Sequence, residues 1–169
     1  MPSDAEPEDQ TEDEQRLAEI AGALADGIDR ALPGWVERSV RRILVAWQGP
    51  DATPDPAVLT EAHVAGIQAQ ATVGPRVRRL LEADIDDQRT NPLAVLRSAV
   101  SYPTAVLRAA GVPEVVRDSF AEAHDPDDVY DLSPASFADV DPSLHEPGLV
   151  WGAAKAHVHL QRRKRDGMR

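Results

Sequence analysis

The sequence predicts an all-α protein: a compact bundle of five to seven helices, several of them kinked at proline, with an ordered Asp/Pro-rich loop and a disordered acidic N-terminal tail. Three observations predict it. Apolar residues recur at i, i+3, i+4 and i+7 along much of the chain. No run of five or more residues alternates as a half-buried strand does. Several of the fourteen prolines follow a capping residue, among them Asp55-Pro56, Asn91-Pro92, Asp125-Pro126, Ser133-Pro134 and Asp141-Pro142. In such a pair the side-chain oxygen accepts an amide of the first turn, and proline at the first helical position has no amide to lose.

Taken in order, residues 1–12 are acidic, weakly hydrophobic and carry two prolines. They cannot bury enough apolar area to offset the entropy of ordering, which predicts a disordered tail. From Asp13, Leu17, Ile20, Leu24 and Ile28 form one helical face, and Leu32-Pro33-Gly34 is expected to end that helix. A second helix is expected from Gly34 to Gln48, with Val36, Val40, Ile43, Leu44 and Trp47 inward and Arg38, Arg41 and Arg42 outward. A third opens at Asp55-Pro56, is broken or kinked at Gly74-Pro75, and continues to Ile85 with Val77, Leu80 and Leu81 inward.

After a polar loop over 86–92, a helix from Leu93 is expected to bend at Tyr102-Pro103 and to be capped by Gly111. Residues 113–124 read as a short helix with Val116, Phe120 and Ala123 inward. Residues 125–147, with six Asp and four Pro, read as an ordered loop with single turns at 134–138 and 142–145, pinned by Val129, Tyr130, Leu132, Phe137 and Val140. The last helix is expected over 148–163. Residues 13–163 thus form one helical domain, and 164–169 a flexible basic end.

Composition excludes several classes of chemistry. There is no cysteine, so disulfides and thiolate catalysis are excluded, and zinc would need His and carboxylate ligands alone. The start is acidic, without the apolar core of a secretory signal, and no window approaches the roughly 20 apolar residues of a membrane span. A cytoplasmic protein without membrane contact is expected. Of eighteen basic residues only Lys155 and Lys164 are lysine, and Ala, Val, Pro and Asp are plentiful. That bias points to a GC-rich bacterial genome, as in actinobacteria. The net charge of −11 is uneven: seven acids and no base in residues 1–14, five bases and one acid in 162–169. An acidic body repels phosphate backbones, so nucleic-acid contact is open only to the C-terminal end.

Candidate sites follow from residue type and spacing. Arg162, Arg163, Lys164 and Arg165 can contact a protein partner or nucleic acid, or complement their own helix's C-terminal dipole, or pair with the acidic tail. Trp35 and Trp151 are candidate partner anchors, since Trp is enriched at binding hot spots, against the alternative of core packing. His145, Glu146 and His157, with Trp151, are the residues a ligand pocket could gather. His157 and His159 stand two apart on a helix and cannot share a metal. Asp125, Asp127, Asp128 and Asp131 cluster as cation ligands do, but lack the EF-hand register of alternate acids, Gly at six and Glu at twelve. Ser133, Ser136 and Ser143 lie near His145 without a nucleophile-elbow or Ser-x-x-Lys motif, and no Gly-rich phosphate loop occurs. No catalytic residue, metal site or cofactor is assigned.

The stretch Leu107-Arg108-Ala109-Ala110-Gly111-Val112-Pro113 resembles the turn of a bacterial helix-turn-helix, its Gly-Val pair matching that family's turn. Leu107 stands where the pattern has a small residue and Arg117 where it has an apolar one. Glu114, Asp118 and Glu122 would face phosphates. A Gly cap followed by Pro at a helix start accounts for the same residues.

The function these observations favour is a non-enzymatic helical adaptor or regulator acting through protein–protein contact. Two alternatives stand beside it. One is a nucleic-acid-associated factor using the C-terminal helix and Arg38, Arg41, Arg42, Arg76, Arg78 and Arg79. The other is an enzyme or small-ligand binder with a pocket near the 125–147 loop.

Overall fold

The computed structural model describes residues 7–84, 90–113 and 132–168. Among these residues every regular element is helical, in the order α1 (Pro7–Gln48), α2 (Pro56–Glu82), α3 (Pro92–Arg97), a 3₁₀ turn (Ser98–Val100), α4 (Ser101–Ala109), α5 (Phe137–Val140), a second 3₁₀ turn (Pro142–Leu144) and α6 (His145–Gly167). The helix expected at 113–124, apart from Pro113, and the loop segment 125–131 lie outside the described residues, as do residues 1–6.

The first correction concerns α1. Two helices were expected on either side of Pro33; one 42-residue helix runs through it. Proline inside a helix removes the amide that would bond the carbonyl four residues earlier, here Asp29 O. That carbonyl is satisfied from outside: Gln70 Nε2 of α2 donates to Asp29 O at 3.0 Å and to its carboxylate Oδ2 at 3.4 Å. The apolar line therefore continues unbroken, with Leu24, Ile28, Leu32, Val36, Val40 and Ile43 each 1% exposed or less. The helix also begins at Pro7, inside the stretch expected to be disordered. It ends at Gly49, whose φ of 102° is the left-handed conformation that suits glycine.

The Asp29 carbonyl yields a direct test. Gln70→Ala should cost about 1–2 kcal/mol by leaving a partly buried acceptor unpaired. In a Pro33→Ala background, where a restored amide reaches Asp29 O, the same change should cost less than half as much. A double-mutant cycle by thermal or urea denaturation measures the difference.

α2 packs antiparallel to α1 and starts as expected, with Asp55 Oδ1 accepting from Ala57 N at 2.9 Å ahead of Pro56. Its inner face is built of small residues, among them Ala62, Gly66, Ala69 and Gly74, which let the two backbones approach closely. A Cβ on Gly66 would stand 2.8 Å from Pro33 O, and one on Gly74 2.5 Å from Asp29 Oδ1. The helix passes through Pro75 without ending. The pairings Gly66–Pro33 and His63–Glu37 set a register that places Pro56 opposite about residue 44. Trp47 therefore lies a turn beyond the cover of α2. It is 42% exposed, not inward as its spacing suggested.

Asn91 caps α3 as expected, Oδ1 accepting from Leu93 N at 2.9 Å. The helix expected from Leu93 to Ala110 is divided by the 3₁₀ turn at 98–100. Pro103 explains it: without its amide the Ala99 carbonyl has no α-helical partner, and the ladder tightens just upstream. α4 ends in a Schellman arrangement, with Gly111 N donating to Arg108 O and Val112 N to Leu107 O, each at 3.0 Å, and Gly111 at φ 87°.

In the Asp/Pro-rich region, Ser136 starts the helical turn, sharing a capping box with Asp139. Ser133, the expected cap, starts none. Asp141 caps the next turn as expected, accepting from Ser143 N at 2.9 Å. Leu132, Phe137 and Val140 are buried and fix the region to the body, and Arg38 Nη2 donates to Val140 O at 2.8 Å. α6 is longer than expected at both ends and lies against α1, burying Trp151 and Val158.

Candidate functional site

An open groove of about 710 Å³ runs between α2 and α4. On the α2 side Val58, Glu61, Val64, Ala65 and Gln68 recur at helical spacing; on the α4 side stand Tyr102, Ala105, Val106 and Ala109. Five of the twelve lining side chains are alanine, too short to fill the space between two helix axes. Among the described lining residues Glu61 alone is charged, and Val64 is 44% exposed beside it. Ser101 and Tyr102 supply hydroxyls and Glu61 a carboxylate. The arrangement offers an apolar surface to a complementary one.

The sequence reading did not find this groove. Alanine at i, i+4 or i+8, as in Ala57–Ala65 and Ala105–Ala109, was its available signal, and such spacing also occurs wherever two helices pack tightly.

The structure brings few of the sequence candidates together. Trp35 is 5% exposed and Trp151 9% exposed, so both lie in the core. Trp151 packs edge-on against Phe137 with ring centroids 6.3 Å apart. Lys155 Nζ lies 4.9 Å from the centre of the same indole, and burial there pushes its pKa down. Trp151 Nε1 is buried with no acceptor.

His145 and Glu146 open α6, whereas His157 lies twelve residues on, about 18 Å along the axis. His157 lines a shallow depression with Asp13, Arg16, Ile20 and Val150, which neither His145 nor Glu146 reaches. Its Nε2 stands 3.2 Å from Asp13 Oδ2. Gln161 Nε2 donates to the same oxygen at 2.9 Å, and these contacts, Gln161 first, hold the Asp13 carboxyl below its ordinary value.

Of the basic end, Arg162 ties three helices or their ends together. Its Nε donates to Glu14 at 3.0 Å, and its Nη1 and Nη2 grip Asp84 at 2.6 and 3.2 Å. These bonds, Asp84 first, raise its pKa. Arg162 thus pairs with Glu14, two residues past the 1–12 stretch read as the acidic tail. Arg163, Lys164 and Arg165 are exposed. Two of the surface arginines are also engaged within the fold, Arg38 with Val140 O and Arg78 with Asp26 and Glu82.

Among the described residues no three His, Asp or Glu side chains gather as metal ligands would, and no helix is long and apolar enough to cross a membrane. Asp125, Asp127, Asp128 and Asp131 lie outside the described residues. No protein-family model, curated protein or solved structure is similar to this chain.

Proposed function

We propose that this chain is a non-enzymatic helical adaptor that holds a partner's amphipathic helix in the groove between α2 and α4. The observation that supports the reading is the groove itself: open, mainly apolar, and without paired titratable groups among the described residues. A helix laid in such a groove gains affinity by burying the i, i+3, i+4 face it cannot bury alone. Charge narrows the occupant. Glu61 is the one charge among the described lining residues and the chain carries −11, so the fitting helix has Lys or Arg beside its apolar face.

A photoreactive residue at exposed position Ala105 tests this in cells. The expected result is one adduct of defined mass to a second protein, through a segment that is apolar and basic. Its yield should fall roughly tenfold or more when Gln68→Trp or Ala109→Trp fills the groove, and fall again with Glu61→Lys. An adduct insensitive to those changes would overturn the reading. So would a crosslink only to residues 114–131 of the same chain, which follow directly from the end of the α4 wall.

A further inference from the structure

We infer that α6 is the self-association face of this protein, pairing antiparallel with α6 of a second copy about a two-fold axis. α6 contributes no residue to the α2–α4 groove, so the inference stands apart from the proposed docking function.

The starting observation is which residues point outward. At about 100° per residue, Leu149, Ala153, Ala156 and Leu160 fall on one meridian, diametrically opposite the buried Trp151 and Val158. The most solvent-facing line of a surface helix is ordinarily polar. Here it is apolar over a twelve-residue span, with Leu149 61% and Leu160 57% exposed. Gly152 borders it, and a Cβ there would meet nothing within 4 Å, so no contact among the described residues requires that glycine. Glycine in a helix interior costs up to about 1 kcal/mol against alanine. Close approach of a second backbone would account for it.

Charge at the two ends identifies the occupant as a second copy. Glu146 and His145 lie one turn before Leu149; Arg163 and Lys164 lie one turn after Leu160. Glu146, Arg163 and Lys164 are exposed and form no ion pair with the described residues. The pattern is symmetric about the midpoint between Ala154 and Lys155. An antiparallel partner centred there sets Leu149 against the other copy's Leu160, Ala153 against Ala156, and Glu146 against Arg163. Such a face is complementary to itself, which is what a two-fold contact needs. The paired alanines let the axes approach to about 8 Å, and antiparallel helix dipoles oppose favourably. A parallel pairing would instead stack the two basic ends.

The contact is one helix wide, below the area of a permanent dimer, so association should be concentration-dependent. Sedimentation equilibrium should give the monomer mass at nanomolar concentration and approach twice that mass by about 100 μM. Leu160→Glu should lower association at least tenfold with unchanged circular dichroism, because the side chain is exposed. Glu146→Arg and Arg163→Glu should each weaken it, and the double swap should restore it.

The cysteine-free chain allows the orientation to be read directly. Leu149→Cys mixed with Leu160→Cys should form a disulfide-linked dimer, whereas Leu149→Cys alone should not. A wild type that stays monomeric at 100 μM would overturn the inference. So would association unaffected by Leu160→Glu, or a charge swap that fails to rescue.

Discussion

Gly66→Ala is expected to destabilise the protein by about 2–3 kcal/mol, although helix propensity alone favours alanine by up to about 1 kcal/mol. The sign is the informative part. The added methyl would stand 2.8 Å from Pro33 O, 2.9 Å from its Cα and 3.2 Å from its carbonyl carbon. All three are backbone atoms in the middle of a 42-residue helix, so they cannot rotate aside as a side chain could. Relief requires α1 and α2 to separate where they approach most closely, which loosens the packing of Leu32 and Val36, each 0% exposed. For a chain of this size the change should lower the Tm by roughly 4–12 °C. Two controls separate this cause from others. Gly22→Ala, whose nearest outside atom is 3.9 Å away, should be neutral or stabilising. Pro33→Ala should not rescue Gly66→Ala, because trimming the ring leaves the obstructing carbonyl in place.

That contact also shows what was legible in the sequence. The all-helical architecture, the caps at Asp55, Asn91 and Asp141, and the Gly111 terminus were readable, because each depends on chemistry within a few residues. The continuity of α1 was not. Whether proline ends a helix depends on who supplies the missing donor, and here it is Gln70, 41 residues away. Trp47 failed for a similar reason. Its spacing was correct for the inward face, but the helix that would cover it begins too late. Ser133 and Ser136 are both plausible caps by residue type, and only the position of Asp139, which binds the Ala135 and Ser136 amides at 2.8 Å, decides between them.

The proposed contact surfaces were less legible than the fold. The sequence reading singled out residues with distinctive chemistry: tryptophans, histidines and basic side chains. Two of the tryptophans are in the core, and Arg162 is engaged by Glu14 and Asp84. Eight of the twelve lining residues of the groove are alanine or valine, which carry no distinctive signal until two helices are set side by side. The outward stripe of α6 was present in the spacing of Leu149, Ala153, Ala156 and Leu160. Its meaning required knowing that the opposite face, at Trp151 and Val158, is the one buried.

Phe137→Ala should produce a loss comparable to or greater than Gly66→Ala, about 3–5 kcal/mol, by a different mechanism. Phe137 is 9% exposed and joins the turn at 137–140 to α6, its ring edge-on to Trp151 at an interplanar angle of 88°. Truncation removes that contact and leaves a cavity against the α6 backbone. The lower end of the range is expected, because the opened space admits water to the buried Trp151 Nε1, which has no acceptor, and relieves part of that penalty. Gly148 supplies the internal check. A Cβ there would stand 2.6 Å from Phe137 Cδ2, so Gly148→Ala should be destabilising by displacing the ring. Here the obstruction is a side chain. In the Phe137→Ala background, Gly148→Ala should therefore cost nothing, or return the usual helix-propensity gain. Urea denaturation of the two single variants and the double variant reads this directly. A Gly148→Ala penalty that persists without the ring would mean that the α6 backbone, not Phe137, sets the limit at this contact.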